Sequence, residues 1–365
     1  MARTYTRLAE TLNDRKIDFL FVSPFAPKEK EPWRGRFIRV ASVPFPLYRY
    51  YRIGIPPVFE LEKAMDRFEP DLIQVAAPTP ISLYGQNYAH RKKIPSVVSY
   101  HTHFVDYFPY YGYRWAMGMG WNYMRWFHNR SELTFAPTPG TARELQERGF
   151  HGVKLWPRGI NGRKFSPKFR SEALRRKLKV GRQPLLLFVG RLVAEKDLGD
   201  LVEAALDLRR RGYQFQLAFA GDGPYRATLE SHFPKDHFFG FIQGRPLAEL
   251  YASSDLFVFP STTETFGNVI LEAYASGLPV IGVKQGGSAD LVHHGKDGFL
   301  AKPRDPKDLA LWMRKCLDAP ALRKKLGKGA LKTAAEYEWP IINGRLIGEY
   351  EGLIQEWRRT AMSKV

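Results

Sequence analysis

The chain has 365 residues, 44% hydrophobic and 25% charged, which at roughly 150 residues per domain makes two globular domains, each long enough to bury a core. No run approaches the roughly 20 apolar residues that a membrane-spanning helix needs. The lone Cys316 excludes an internal disulfide or a thiolate metal cage, and the N-terminus lacks a secretory apolar segment, which predicts a reducing, cytoplasmic setting.

The net charge of +19 is unevenly spread: residues 1–180 carry 31 Lys and Arg against 15 Asp and Glu, residues 181–365 carry 25 against 22. A basic first half attracts a polyanion, whether nucleic acid, an anionic membrane surface or an acidic substrate, or else is a solvated face with no partner.

In chain order, Met1-Ala2-Arg3-Thr4 reads as the opening of a helix and Ile17–Ser23 as a buried strand. Strands Asp71–Ala76, Ser96–His101, Leu133–Pro137 and Val153–Pro157 follow, with the amphipathic run Val58–Phe68 before them. The Lys- and Arg-rich stretch Gly162–Gln183 has the composition of a linker with a short helix. Beyond Pro184, strands Leu185–Val189, Gln216–Ala220, Leu256–Pro260 and Val280–Val283 alternate with helical stretches such as Leu198–Arg211. That alternation predicts two doubly wound parallel sheets. Trp339–Arg359 is a helix with Ile342, Leu346, Tyr350, Leu353 and Trp357 on one face.

Ligands of open parallel sheets bind at the carboxyl ends of strands. Four turns there hold candidates. Leu185–Val189 runs into Gly190 and Arg191, with Lys196 close behind, a forked and a point cation suited to a diphosphate; ordinary surface charge explains the same residues. Gly221, Asp222, Gly223 and Pro224 form a turn that needs glycine whether or not anything binds. The run from Pro260 through Glu264, Phe266, Gly267 and Asn268 leads into a helix, Val269–Ser276, whose free amides and dipole favour an anion. Glu264 and Glu272, eight residues apart, are placed either to accept hydrogen bonds from one polyhydroxylated ligand or to serve as a cap and a solvated carboxylate. Gln285, Gly286, Gly287 and Ser288 open a further helix and border the same strand ends.

Together these motifs, with the run Ala275 to Val280, resemble the donor domain of family four retaining glycosyltransferases. Tyr100-His101-Thr102-His103, and Leu155–Ile160 followed by Phe165-Ser166-Pro167, are most similar to the sulfoquinovosyl-diacylglycerol synthases and the related mannosyl- and glucosyltransferases acting on lipids. The resemblance implies a GT-B fold, two Rossmann-like α/β domains facing across a cleft. Residues 1–160 would bind the acceptor, 183–335 the nucleotide sugar, and 336–365 would cross back to the first domain. It implies that Arg191 and Lys196 hold the donor diphosphate, Glu272 the ribose and Glu264 the donor sugar. Gly190, Asp222, Gly223, Phe266, Gly267 and Asn268 would line the donor site. His101, in preference to His103, would stand beside the reacting sugar and orient it. The implied reaction moves a hexose to a hydroxyl acceptor, a lipid among the candidates, with retention. No Asp-x-Asp pair follows a predicted strand, so cations and a helix end are expected to replace a metal, and no cofactor is expected.

The aromatic stretch from Phe104 to Trp126, joined to the basic first half, points to a surface that meets lipid headgroups at the inner face of a membrane, with core packing as the alternative. No nucleic-acid module is visible. The family's opening strand and glycine loop have no counterpart before the helix that Met1-Ala2-Arg3-Thr4 opens, so the chain as given is expected to be unstable or inactive, with about 15 to 20 upstream residues restoring both. Two other readings remain: a non-catalytic polyanion- or membrane-binding protein on the same fold, and a nucleotide-sugar epimerase.

Overall fold

The computed structural model describes residues 2–24, 36–45, 48–100, 105, 113–264 and 266–363. The chain divides into two compact units. Unit 1 comprises Met1–Pro157 with Trp339–Val365, and unit 2 comprises Arg158–Glu338.

Unit 1 begins with helix α1 (Ala2–Asp14). Strands β1 (Leu20–Ser23) and β2 (Arg36–Arg39) pair in parallel, and β3 (Ser42–Phe45) and β4 (Tyr48–Gly54) form an antiparallel pair. A four-stranded parallel sheet follows, in the order β5 (Ile73–Val75), β6 (Ser96–Ser99), β7 (Leu133–Ala136), β8 (Val153–Leu155). Helices α2 (Val58–Phe68), α3 (Pro80–Lys92), α4 (Met117–His128) and α5 (Pro139–Glu147) connect these strands. Two of the crossovers use the same local device, a Pro-Thr-Pro run. Thr79 and Thr138 accept hydrogen bonds from the backbone N–H of Ser82 and Thr141, and Pro80 and Pro139 supply a first helical residue that needs no donor.

Among the described residues no ladder hydrogen bond joins β1 and β2 to the four-stranded sheet. Their side chains meet instead: Leu20 and Val22 pack with Ile73 around buried Leu61, Met65 and Tyr88.

Helix α14 (Trp339–Met362) belongs to unit 1. Its Ile342 and Leu346 are buried. Asn343, fully buried, donates to the Arg7 carbonyl and the Thr11 hydroxyl at 2.9 Å and accepts from the Trp156 indole at 3.3 Å. The Tyr350 hydroxyl donates to the Gln74 side chain and the Trp357 indole to the Lys93 carbonyl.

Unit 2 holds a six-stranded, wholly parallel sheet in the order β11 (His237–Phe238), β10 (Gln216–Ala220), β9 (Leu185–Val189), β12 (Leu256–Val258), β13 (Val280–Val283), β14 (Gly298–Ala301). Every residue of β9 and β13 is buried, as helices on both faces require. Those helices are α6 (Glu172–Lys177), α7 (Leu198–Arg210), α8 (Arg226–His232), α9 (Arg245–Ser253), α10 (Asn268–Ala275), α11 (Gly286–Leu291), α12 (Pro306–Asp318) and α13 (Pro320–Glu336). The strand order reverses between β9 and β12, which opens a crevice at their carboxyl ends. The basic stretch 162–183 is fastened into this unit. Buried Arg175 donates to the carbonyls of Ser253, Gly181 and Gln183 and pairs with Asp255 at 2.9 Å.

Candidate active site at the strand-order reversal

The residues after β9 and β10 are locked together by backbone. Gly190 N–H donates to the Ala220 carbonyl, Leu192 N–H to the Asp222 carbonyl, and Tyr225 N–H to the Leu192 carbonyl, all within 3.0 Å. A Cβ on Gly221 would lie 1.8 Å from the Gly190 carbonyl oxygen, and one on Gly223 would lie 2.4 Å from that of Leu192. Glycine is required here for close approach. Asp222 accepts from the Gly223 N–H at 2.8 Å and so shapes its own turn.

A second set of bonds ties the end of β9 to the loop after β12. Asp197, at φ 51°, accepts from both the N–H and the hydroxyl of Thr262, at 2.8 and 2.7 Å. The Thr263 hydroxyl donates to the Glu195 carbonyl at 2.9 Å. Lys196 is thereby fixed opposite Glu264, with Nζ 3.0 Å from Oε2 and side chains only 11% and 26% exposed. The other Glu264 oxygen accepts the Gly267 N–H at 3.2 Å. From below, the loop rests on α11: Gly287 N–H donates to the Glu264 carbonyl at 2.6 Å, and a Cβ on Gly287 would stand 2.5 Å from the Phe266 carbonyl carbon. Phe266 is buried with its ring 6.5 Å from that of Tyr337, and Gly267 precedes α10, where Asn268 is exposed.

The structure thus joins Lys196, Glu264 and Gly267 in one constellation. Arg191 stands apart from it, 70% exposed and paired with Glu195 at 2.6 Å. Glu272, on the second turn of α10, accepts from the Tyr251 hydroxyl at 3.1 Å. Burial, and then the Glu272 charge, raise that phenol well above its ordinary range, so it stays a donor. His101 and His103 lie outside the described residues.

One further cation belongs to the site and escaped the sequence reading. Burial lowers the Arg158 guanidinium from its ordinary value, and the Glu264 carboxylate opposes that shift. Its chain is placed by Ile160, whose N–H donates to the carbonyl of Tyr337, the residue whose ring meets Phe266 edge-on. Arg158 sits between Pro157 and Gly159 just after β8. The rule that singled out Arg191, a cation in a glycine turn after a strand, applies to it equally. Among the described residues no group of three His, Cys, Asp or Glu side chains is arranged to hold a metal ion.

The family model for "Glycosyltransferase Family 4" matches residues 1–163 and that for "Glycosyl transferases group 1" matches residues 170–333. The GDP-mannose-dependent alpha-mannosyltransferase of Mycolicibacterium smegmatis is 32% identical over 354 residues, which are 95% of this chain and 92% of that protein. The chain belongs to glycosyltransferase family 4. The sulfoquinovosyl transferase SQD2 of Arabidopsis thaliana is 33% identical over 341 residues, 90% of this chain, and the chain spans 66% of that relative's length. A solved sucrose-phosphate synthase from Thermosynechococcus elongatus superposes with a TM-score of 0.71 at 22% identity, covering 98% of this chain and 94% of its own. The fold is GT-B and the chain is a sugar-transferring enzyme. Neither a non-catalytic binding protein nor an epimerase finds support among these relatives of the glycosyltransferase.

Proposed function

We propose that this glycosyltransferase moves a hexose from a nucleoside-diphosphate sugar to a hydroxyl acceptor, a lipid hydroxyl in particular, with retention and without a metal ion. The observation that carries the reading is the Lys196–Glu264 pair, held at 3.0 Å by loops hydrogen-bonded to one another at the strand-order reversal. A cation and a carboxylate so placed suit the two halves of the donor, the diphosphate and the sugar hydroxyls.

In this reading Lys196 and the exposed fork of Arg191 neutralise the departing diphosphate, and half-buried Arg158 adds a third positive charge. Glu264 accepts hydrogen bonds from the sugar, Asn268 turns its backbone amide toward it at the start of α10, and Gly267, whose N–H is taken by Glu264, lines the same edge. Gly190, Asp222, Gly223 and Phe266 form the walls, and Glu272 accepts from the ribose. The bond from the anomeric carbon to the diphosphate oxygen breaks, and the acceptor oxygen bonds to that carbon on the same face. The acceptor's proton passes to the departing phosphate oxygen, with His101 orienting the sugar.

The names of the mannosyltransferase relatives make GDP-mannose the first donor to try. The test is a thermal-shift screen of nucleotide sugars, then transfer to diacylglycerol or phosphatidylinositol in the presence of EDTA, with the product's anomeric proton read by NMR. An α-linked product from an α-linked donor at undiminished rate in EDTA is expected. An inverted product, or activity that returns only with added metal, overturns the mechanism.

A further inference from the structure

Helix α4 presents an apolar face to solvent. A single turn of 3-10 helix at Arg114–Ala116 runs directly into α4. Along this continuous helix, Met124, Phe127 and His128 are buried against the unit. On the opposite side Trp115 is 75% exposed, Met119 58%, Tyr123 48% and Trp126 47%. Their spacing of four, four and three residues makes one stripe, because at about 100° per residue all four fall within a quarter-turn of the helix. Tyr123 and Trp126 stack on one another, with ring centroids 5.7 Å apart. A water-facing helix has no need of two tryptophans, a tyrosine and a methionine in one row.

The charge on the helix itself has a single sign. Between Asp106 and Glu132 the sequence contains no acidic residue, while Arg114, Arg125 and Arg130 are all exposed. Arg130 lies over the Trp126 ring, 5.2 Å from its centroid; Arg148, over half-buried Trp121 at 3.9 Å, is paired with Glu144 at 3.0 Å. Aromatic rings that carry a polar edge, rimmed by guanidinium groups, match the boundary between acyl chains and anionic headgroups, where both residue types are favoured.

We infer that the outer face of the helix 114–128 is the surface by which this protein binds an anionic lipid bilayer, Trp115, Met119, Tyr123 and Trp126 entering the interface and the flanking arginines meeting the headgroup phosphates. The helix lies in the plane of the interface. No helix among the described residues is long and apolar enough to cross a membrane, and this mode of attachment needs none. Binding here does not depend on what the enzyme's acceptor is.

The test is flotation of the full-length protein with vesicles of phosphatidylcholine alone and with one-third phosphatidylglycerol. Wild type is expected to float with the anionic vesicles and remain in solution with the neutral ones. Trp115→Ser with Trp126→Ser should lower the anionic-vesicle partition coefficient by about tenfold or more, given the apolar area withdrawn from the interface. Arg114→Gln with Arg125→Gln should weaken binding and reduce its dependence on salt. The melting temperature and the hydrolysis of donor in vesicle-free solution should be unchanged in both, since these side chains face solvent. Equal binding of wild type and the tryptophan variant overturns the inference, as does binding that ignores lipid charge. A wild-type dimer in sedimentation that the tryptophan variant dissociates would assign the stripe to a second copy of the chain and would also overturn it.

Discussion

Replacing Glu264 by Gln removes one negative charge and almost no volume, and the structure says what that charge is balancing. Its Oε2 lies 3.0 Å from Lys196 Nζ, and Lys196 is 11% exposed. Arg158, whose charged form burial disfavours, has Glu264 as the carboxylate opposing that shift. Deleting one member of a buried pair costs about 3–5 kcal/mol because the remaining charge is left uncompensated. Glu264 is itself 26% exposed, so the lower end, about 3 kcal/mol, applies. For a unit of this size that is a fall of roughly 6–12 °C in melting temperature. A nucleoside diphosphate brings negative charge to the same cations, so at one hundred times its dissociation constant it should restore about 2.7 kcal/mol. Transfer should nevertheless stay low, by about 10- to 100-fold, because a charged acceptor of sugar hydrogen bonds has become neutral. Scanning calorimetry with and without nucleoside diphosphate, alongside initial rates, separates the two effects. A variant that melts within a degree of wild type would refute the argument that Glu264 balances the buried cations. One that loses nucleotide binding together with transfer would refute the division of labour between phosphate and sugar.

Arg191→Ala removes an exposed i,i+4 pair, so stability should be unchanged within experimental error, while nucleoside-diphosphate affinity by titration calorimetry weakens about tenfold; unaltered affinity would remove Arg191 from the donor site. Gly221→Ala should cost about 3 kcal/mol in chemical denaturation, since its Cβ would meet the Gly190 carbonyl at 1.8 Å and its φ is 143°; a folded variant of wild-type stability would show that the β9 and β10 loops are not rigid. Burial pushes the His128 imidazole down to about 3 from 6.5, so it stays neutral in the folded chain through a range where the unfolded chain takes up a proton. Stability is therefore full above pH 6.5 and falls as the pH drops toward 3, with about 2 kcal/mol lost by pH 5. His128→Asn should flatten that part of a urea-midpoint profile, and a parallel profile for the variant would exclude His128 as its source.

The six-stranded sheet was legible because its strands are buried on both faces. Leu185–Val189 and Val280–Val283 are runs without a polar side chain, Gln216–Ala220 is one after its first residue, and each is a strand over those same residues. The antiparallel pair β3 and β4 gave no such signal: Tyr48–Gly54 reads YRYYRIG, and Pro44 interrupts its partner, so neither shows the apolar run or clean alternation of a strand. The stretch 162–183 reads as a linker from its lysines and arginines, but one of them, Arg175, is 6% exposed and satisfied by three carbonyls and Asp255. Composition does not distinguish a solvated cation from one that organises a turn.

The same blindness operates within the site and explains why its cations divide as they do. In the sequence Arg191 and Lys196 are near neighbours after one strand and look equivalent. They differ because Asp197, in a left-handed conformation, is bonded twice to Thr262, which is 65 residues away. That anchor sets Lys196 against Glu264 and leaves Arg191, five residues earlier, on the rim with Glu195 for a partner. A buried cation already paired with a carboxylate is positioned before any ligand arrives and loses little freedom on binding, whereas an exposed arginine must give up its own pair and its rotamers. The fixed lysine and the rim arginine therefore differ in the freedom each would lose to an anion. Neither placement is written in the spacing of five residues; both follow from a contact that only the parallel order β9 to β12 creates.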